Sequence, residues 1–225
     1  MGGVAAPVIL EDFDTVVRRA RSVTERGGRR IIGIAGSPGA GKTTLAVALV
    51  RALNEGSTEG PWAVHVPMDG FHLADVELAR LGRLDRKGAP DTFDADGYAA
   101  LLERLRSAGA GETVYAPAFD RDVEQPVAGA IPVPPASRLV VSEGNYLLLD
   151  GWRRARAALD DCWFCDLGDQ ERHLRLVERH VRFGKSRPEA EAWVAAVDEP
   201  NAVAISATRP RADAVVAAAV TGPAA

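Results

Sequence analysis

The run Gly36-Ser37-Pro38-Gly39-Ala40-Gly41-Lys42-Thr43 spells G-x-x-x-x-G-K-[ST], and its flanks leave few folds open to the chain. Ile31-Ile32-Gly33-Ile34-Ala35 before it is a short apolar run of the kind that forms a buried parallel strand. Thr44 to Asn54 after it places Leu45, Leu49, Ala52 and Leu53 on one helical stripe. A strand, a glycine turn and a helix N-terminus make an anion site, because successive backbone N–H groups and the helix dipole point at the same spot. Lys42 can reach the outer phosphates of a nucleotide, and the Thr43 hydroxyl can ligate Mg2+. Gly36, Ser37, Pro38, Gly39, Ala40, Gly41, Lys42, Thr43 and Thr44 are therefore the candidate nucleotide-binding residues. A glycine turn that precedes a helix by chance would not bring the lysine, the hydroxyl and the strand with it.

The 225 residues suit one α/β domain and are short for two. Strand-like and helix-like segments alternate, which is the pattern of a mainly parallel central sheet between helices, a three-layer α/β/α arrangement. An opening helix is expected near Glu11–Arg26, with Phe13, Val16, Val17 and Ala20 on one stripe, and a strand over Trp62–Pro67 that ends at Met68-Asp69-Gly70. Tyr98, Leu101, Leu102 and Leu105 mark a further helix, and Arg138–Ser142 a strand that delivers Glu143-Gly144-Asn145. A strand at Cys162–Asp166, a long helix from Asp169 to Phe183 and a helix over Glu189–Val197 follow, and Ala212–Ala219 fits either a strand or a helix. The stretch 109–137 is rich in Gly and Pro (Pro117, Pro126, Pro132, Pro134, Pro135), so it reads as a linker or as a segment that lines the site. Tyr115, Phe119, Asp120 and Arg121 favour the second reading.

Charge and cysteine content narrow the class. Lys+Arg 27 against Asp+Glu 31 gives a net charge of -4, which argues against general nucleic-acid binding. Met1–Pro7 offers no basic n-region and no apolar stretch long enough for a signal or a membrane span, so a cytoplasmic protein is expected. Cys162 and Cys165 form a C-x-x-C without a second pair for zinc and read as two core cysteines.

In an open parallel sheet ligands sit at the carboxyl ends of the strands, and Asp69, Glu143 and Asp166 fall at or near such ends. Asp69 can accept the proton of an attacking hydroxyl or hold a Mg2+ water, and Glu143 resembles a Walker-B acid. Asp166 reads as a helix cap. Arg172, Arg175, Arg179 and Arg182, spaced three, four and three apart, share one helix face, with Leu174, Val177 and Val181 on a neighbouring stripe that can pack. Gly184-Lys185-Ser186-Arg187-Pro188 then breaks the helix. A solvated basic face would look the same, but after a phosphate loop such a helix suits a phosphate-clamping lid.

The order of these pieces resembles the P-loop small-molecule kinases that include uridine kinase, bacterial pantothenate kinase and phosphoribulokinase. The match runs from about Arg30 to Ala217. Met68-Asp69-Gly70-Phe71-His72 resembles the segment that carries the catalytic aspartate in that group. Arg86-Lys87-Gly88-Ala89-Pro90-Asp91-Thr92-Phe93-Asp94 is similar to the pantothenate kinase segment before its substrate helix. Ala116-Pro117-Ala118-Phe119-Asp120 stands at the family's substrate loop, and Glu143-Gly144-Asn145-Tyr146-Leu147-Leu148 at its Glu-Gly strand end. Asp-Gly-Phe-His, Pro-x-Phe-Asp-Arg and Pro200-Asn201-Ala202 are closest to a nucleoside/nucleotide kinase-like or fructose-transport-system kinase-like branch. Phe119 replaces the usual Tyr of uridine and pantothenate kinases, and Glu124-Gln125 stands where a histidine is expected, so neither acceptor specificity carries over.

The resemblance implies a P-loop NTPase fold in a single domain over 1–225, with a lid over about 172–190 and a substrate-side insertion over about 84–137. It implies an ATP-dependent kinase that phosphorylates a hydroxyl of a small metabolite, with ATP and Mg2+ as cofactors. Its partner would be a small-molecule acceptor rather than nucleic acid or membrane, and a homodimer is compatible with it. Asp69, Lys42, Arg175, Arg179 and Arg182 are the implied catalytic set, and Thr43, Asp69 and Glu143 the metal set. Asp69, His72, Arg86, Phe119, Asp120 and Arg121 are the implied acceptor contacts, and Thr208 and Arg209 flank the adenine. The rival reading is a nucleotide-driven regulatory ATPase or switch acting on a protein partner, which the absence of an Asn-Lys-x-Asp or Leu-Ser-Gly-Gly-Gln string disfavours.

Overall fold

The computed structural model describes residues 6–58, 60–217 and 220; Met1–Ala5 and the final alanines of the 212–219 expectation lie outside the described residues. In chain order the elements are β1 (Val8–Leu10), α1 (Phe13–Thr24), β2 (Arg30–Ala35), α2 (Lys42–Asn54), β3 (Ala63–Pro67), α3 (Asp75–Arg80), α4 (Ala95–Ser107), β4 (Val114–Asp120), β5 (Gln125–Val133), β6 (Leu139–Glu143), α5 (Arg153–Ala158), β7 (Asp161–Cys165), α6 (Asp169–Arg182), α7 (Arg187–Trp193), α8 (Glu199–Ser206) and β8 (Ala214–Val216). Short 3-10 turns at Met68–Phe71, Leu84–Arg86 and Pro90–Thr92 break the chain between β3 and α4, and a π-helical turn at Val194–Asp198 joins α7 to α8.

Six strands form one sheet in the order β1-β8-β7-β2-β6-β3, and every neighbouring pair is parallel. The apolar run of β2 explains its central place, because a strand covered on both faces needs no polar alternation. Ile31 and Ala35 pack into one core with α4 and α5, through Tyr98, Leu102, Leu105 and Ala155. Ile32 and Ile34 pack into the other with α1 and α2, through Val16, Ala20, Leu45 and Leu49. The period-2 turnover of side chains thus builds the three layers. The α1 helix starts where Asp12 accepts a hydrogen bond from the Thr15 N–H at 2.7 Å and runs on the expected stripe. β1 carried no recognised sequence signal: three residues pair with β8 at the sheet edge. The open choice at 212–219 resolves as the strand β8.

One expectation is refined and one partly corrected. The Gly/Pro-rich stretch is not a linker: β4 and β5 form an antiparallel hairpin, with a register irregularity between Ala116 and Ala118, whose Phe119, Arg121 and Glu124 reach a cavity. A two-stranded ribbon leaves each strand one free edge, where proline costs no ladder bond. Of the expected packing stripe of α6, Val177 is buried but Leu174 and Val181 are exposed; Val177 closes a small separate core with Leu176, Ala190 and Val194. The helix is rotated because its other buried side chain, Arg172, lies against the phosphate loop. Both cysteines are free and buried, as expected, with burial pushing the Cys162 thiol up to about 12 and that of Cys165 to about 11. No helix among the described residues is long and apolar enough to cross a membrane.

Candidate active site

The phosphate loop leaves β2 at the carboxyl edge of the sheet and enters α2 through Gly41, whose φ of +89° only glycine holds without strain. Gly39, at φ +79°, is forced for a second reason: a Cβ there would lie 2.8 Å from Leu176 Cγ and 2.9 Å from the Arg172 carbonyl of α6. Cys165 Sγ donates to the Ala40 carbonyl at 3.0 Å, and the Ser37 and Ser206 hydroxyls lie 3.1 Å apart, so neighbouring elements fix the loop. Lys42 folds back along it, with Nζ donating to the Ser37 carbonyl at 3.0 Å. Burial pulls its ammonium below the usual lysine value, opposed foremost by the charge of Glu143.

Glu143, the last residue of β6, pairs in register with Ile34 of β2 and Pro67 of β3 and so lies between the phosphate loop and the Asp69 turn. Its Oε1 accepts from the Thr43 hydroxyl at 3.0 Å and lies 3.7 Å from His65 Nε2. Burial raises the Glu143 pKa, but His65, Lys42 and Thr43 outweigh it and the net shift is downward, so the carboxylate stays ionised. Two hard oxygen donors side by side, one of them anionic, are what a small divalent cation takes.

Across the cavity, Asp69 sits in the 3-10 turn after β3. Its carbonyl accepts the His72 N–H at 3.2 Å and the His72 ring at 2.8 Å, which places the ring proton on Nδ1. Burial holds the His72 pKa below the ordinary 6.5, so the ring is neutral at pH 7. His72 is flanked by Phe93 at 4.0 Å and Phe119 of the hairpin at 4.7 Å between ring centres. Arg121, at the hairpin tip, donates to Asp69 Oδ2 at 3.2 Å. Lys87 bonds Asp75 Oδ1 at 2.6 Å and the Glu124 carbonyl at 2.5 Å, which ties the 84–92 turns to the same tip.

These groups share one cavity of about 430 Å³. The phosphate loop contributes Pro38, Gly39, Lys42 and Thr43, and Glu143 and Asn145 form its base. Asp69, His72, Lys87, Phe93, Phe119 and Arg121 form the wall opposite the phosphate loop, and Arg179, His180, Phe183, Lys185, Trp193 and Asp198 close it from the helical side.

The sequence-expected residues divide accordingly. Pro38, Gly39, Lys42, Thr43, Asp69, Glu143, His72, Phe119, Arg121 and Arg179 line the cavity, whereas Gly36, Ser37, Ala40, Gly41, Thr44, Arg86, Asp120, Arg175, Arg182, Thr208 and Arg209 do not. Arg86 pairs with Asp91 at 2.8 Å, and Asp120 caps the hairpin turn by accepting from the N–H groups of Asp122 and Val123. Arg182 is exposed. Thr208 is buried and donates to the Ile205 carbonyl, and Arg209 pairs with Asp166 at 3.0 Å, so Asp166 is an ion-pair partner and not the cap of α6, which is Gly168. Of the lid arginines, Arg172 is buried and salt-bridged to Glu199 at 2.7 Å, which makes it a strut rather than a free cation. Arg175 pairs with Glu171 and points toward Gly41, and Arg179 has no ion pair among the described residues.

Sequence reasoning passed over His65, His180, Trp193 and Asp198. His180 Nε2 lies 2.9 Å from Asp198 Oδ2, a pairing that the π-helical turn creates and no local pattern announces. Asn145 and Asn201 stood inside quoted motifs and could have been read as site residues from them.

Comparison with known proteins agrees with this geometry. Residues 31–161 match the model of the Phosphoribulokinase / Uridine kinase family. The chain is 35% identical over 190 residues to "Putative uridine kinase C227.14" of Schizosaccharomyces pombe, covering 81% of this chain and 80% of that protein. It is 32% identical over 152 residues to a uridine kinase of Leuconostoc citreum, covering 67% and 68%. Among solved structures, a "putative fructose transport system kinase" from Silicibacter sp. TM1040 superposes with a TM-score of 0.78 at 38% identity, over 89% of this chain and 98% of that one.

Proposed function

The chain belongs to the Phosphoribulokinase / Uridine kinase family and is an ATP-dependent phosphotransferase that acts on a hydroxyl group of a small molecule; from that premise we propose that residues 1–225 work as one kinase domain whose 430 Å³ cavity is the site of transfer. The observation that carries this reading is the convergence of Lys42, Thr43 and Glu143 with Asp69 on opposite walls of a single cavity.

ATP lies along the phosphate loop, with its γ-phosphoryl facing Asp69. The loop amides and Lys42 hold the phosphates, and the contact with an anion favours the Lys42 charge that burial disfavours. The Thr43 hydroxyl and the Glu143 carboxylate would hold Mg2+, which would supply charge neutralisation to the phosphates. Asp69 orients the acceptor hydroxyl and takes its proton as the oxygen–Pγ bond forms. The bond from Pγ to the β,γ-bridging oxygen breaks at the same time, and ADP leaves. The transition state is loose, so positioning and charge count for more than the strength of the base. Arg179 and Arg175, from the lid over about 172–190, bring positive charge to the transferring group. His72, Phe119 and Arg121 shape the acceptor wall, and the substrate-side insertion over about 84–137 carries most of it.

Acceptor-stimulated ADP release over a panel of nucleosides, pantothenate, sugars and sugar phosphates tests this. One acceptor should stimulate release, and Asp69→Asn should lower that turnover by about 10²- to 10⁴-fold while ATP binding stays near normal. Near-normal turnover in Asp69→Asn would sink the assignment, and ADP release indifferent to every acceptor would favour a nucleotide-driven switch.

A further inference from the structure

Arg121 is gripped by three separate parts of the chain. One guanidinium nitrogen donates to Asp69 Oδ2 at 3.2 Å, and the guanidinium carbon lies 5.4 Å from the ring centre of Phe119 on the hairpin and 5.8 Å from that of Phe183 at the end of α6. The two rings hold the cation without neutralising it. Its one carboxylate partner among the described residues is the group that must receive the acceptor proton. The guanidinium therefore occupies the carboxylate oxygen that an incoming hydroxyl would have to reach. The pair is a single hydrogen bond with both side chains a third or more exposed, 43% and 34%, which is the weak kind of ion pair. The rest of the guanidinium fork has no other hydrogen-bond partner among the described residues and fits a bidentate oxyanion.

The neighbouring surfaces point the same way. The rings that would stack on a heterocycle are spent on the protein itself: His72 lies between Phe93 and Phe119, and Phe119 also carries the Lys87 ammonium at 5.3 Å. Across the cavity Lys185 rests on Trp193 at 4.7 Å with no carboxylate in ion-pair range among the described residues. A neutral acceptor would leave Arg121 on Asp69. An acceptor carrying an oxyanion gives the guanidinium a better partner.

Resting on the kinase reading above, we propose that the acceptor is an anionic hydroxy compound whose carboxylate or phosphate draws Arg121 off Asp69, so that recognition of the anion is also the release of the base. The proton then passes from the acceptor hydroxyl to Asp69 as set out above, and no further reactant is needed.

The test uses matched acceptors: glycerol against glycerate and glycerol 3-phosphate, ribose against ribonate and ribose 5-phosphate, and panthenol against pantothenate, with uridine as a neutral heterocycle. The charged member of one set should exceed its neutral partner in kcat/KM by about tenfold or more; Arg121→Gln should collapse that ratio toward one, and Arg121→Lys should restore part of it. The carboxylate and phosphate arms identify which oxyanion is read. A neutral member or uridine used best, or a ratio unchanged in Arg121→Gln, overturns the proposal. A second measurement needs no turnover: calorimetric titration of sulfate into the chain saturated with a non-hydrolysable ATP analogue. The wild type should bind sulfate about tenfold more tightly than Arg121→Gln; equal binding by both, or none by the wild type, overturns the proposal. Sulfate binding that depends on Arg121, with no acceptor stimulating ADP release, would instead count against the kinase reading alone.

Discussion

The two walls of the cavity are built by different means. The phosphate wall is mostly backbone, held by the sheet and by close packing: β2 lies between β6 and β7, Gly39 abuts the carbonyl of Arg172, and the Ala40 carbonyl takes the Cys165 thiol. The acceptor wall is side chain held by side chain: His72 against Phe93 and Phe119, Lys87 on Asp75, Arg121 on Asp69, contributed by three 3-10 turns and a hairpin tip. A wall made of amides recognises what every nucleoside triphosphate shares. A wall made of side chains can change its ligand by changing one residue.

The sharpest break of this contrast is Lys42→Ala, which removes the cationic side chain of the phosphate wall. Turnover should fall by about 10³-fold, the loss expected when a charged donor to the transferring phosphoryl is removed, and steady-state kinetics with the identified acceptor would show it. Retained turnover would mean that the amides alone suffice. A smaller effect should follow from Phe119→Leu, which removes the ring between His72 and Arg121. The acceptor KM should rise about three- to tenfold, in keeping with the loss of one aromatic contact, while the KM for ATP holds. An equal rise in both would mean that the walls are not separable.

The smallest expected effect concerns pH. His72 is held below its ordinary 6.5 by burial. A depressed histidine leaves the unfolded chain binding more protons between the two values, so its contribution to stability is whole above 6.5 and declines as pH falls below it. Denaturant midpoints measured down from pH 7 should show that decline, and His72→Asn should flatten it; an unchanged slope would remove His72 as its source.

The same contrast explains what the sequence disclosed. The phosphate loop, β2, α2, β6 and the long helix α6 were legible because each is a contiguous run whose period or glycine spacing is dictated locally. Asp69 and Glu143 were legible because the ends of parallel strands are where ligands bind. The hairpin was hidden by its prolines, and β1 by a length of three residues. The buried Arg172 was misread as a lid cation because helical spacing says which residues share a face but not which neighbour the face meets. The pairing of His180 with Asp198, and the company Arg121 keeps, arise from segments far apart in the chain.

The contact of Gly39 with Arg172 makes α6 a lever. Its root is pinned to the phosphate loop, and its far end carries Arg179, His180 and Phe183 into the cavity. From Arg172 to Phe183 the arm is about 16 Å long, at 1.5 Å per residue. A tilt of about 5° at the fulcrum therefore swings the Phe183 end by about 1.4 Å, from the same helical rise. A small adjustment of the phosphate loop would by this geometry be magnified at the ring that holds Arg121.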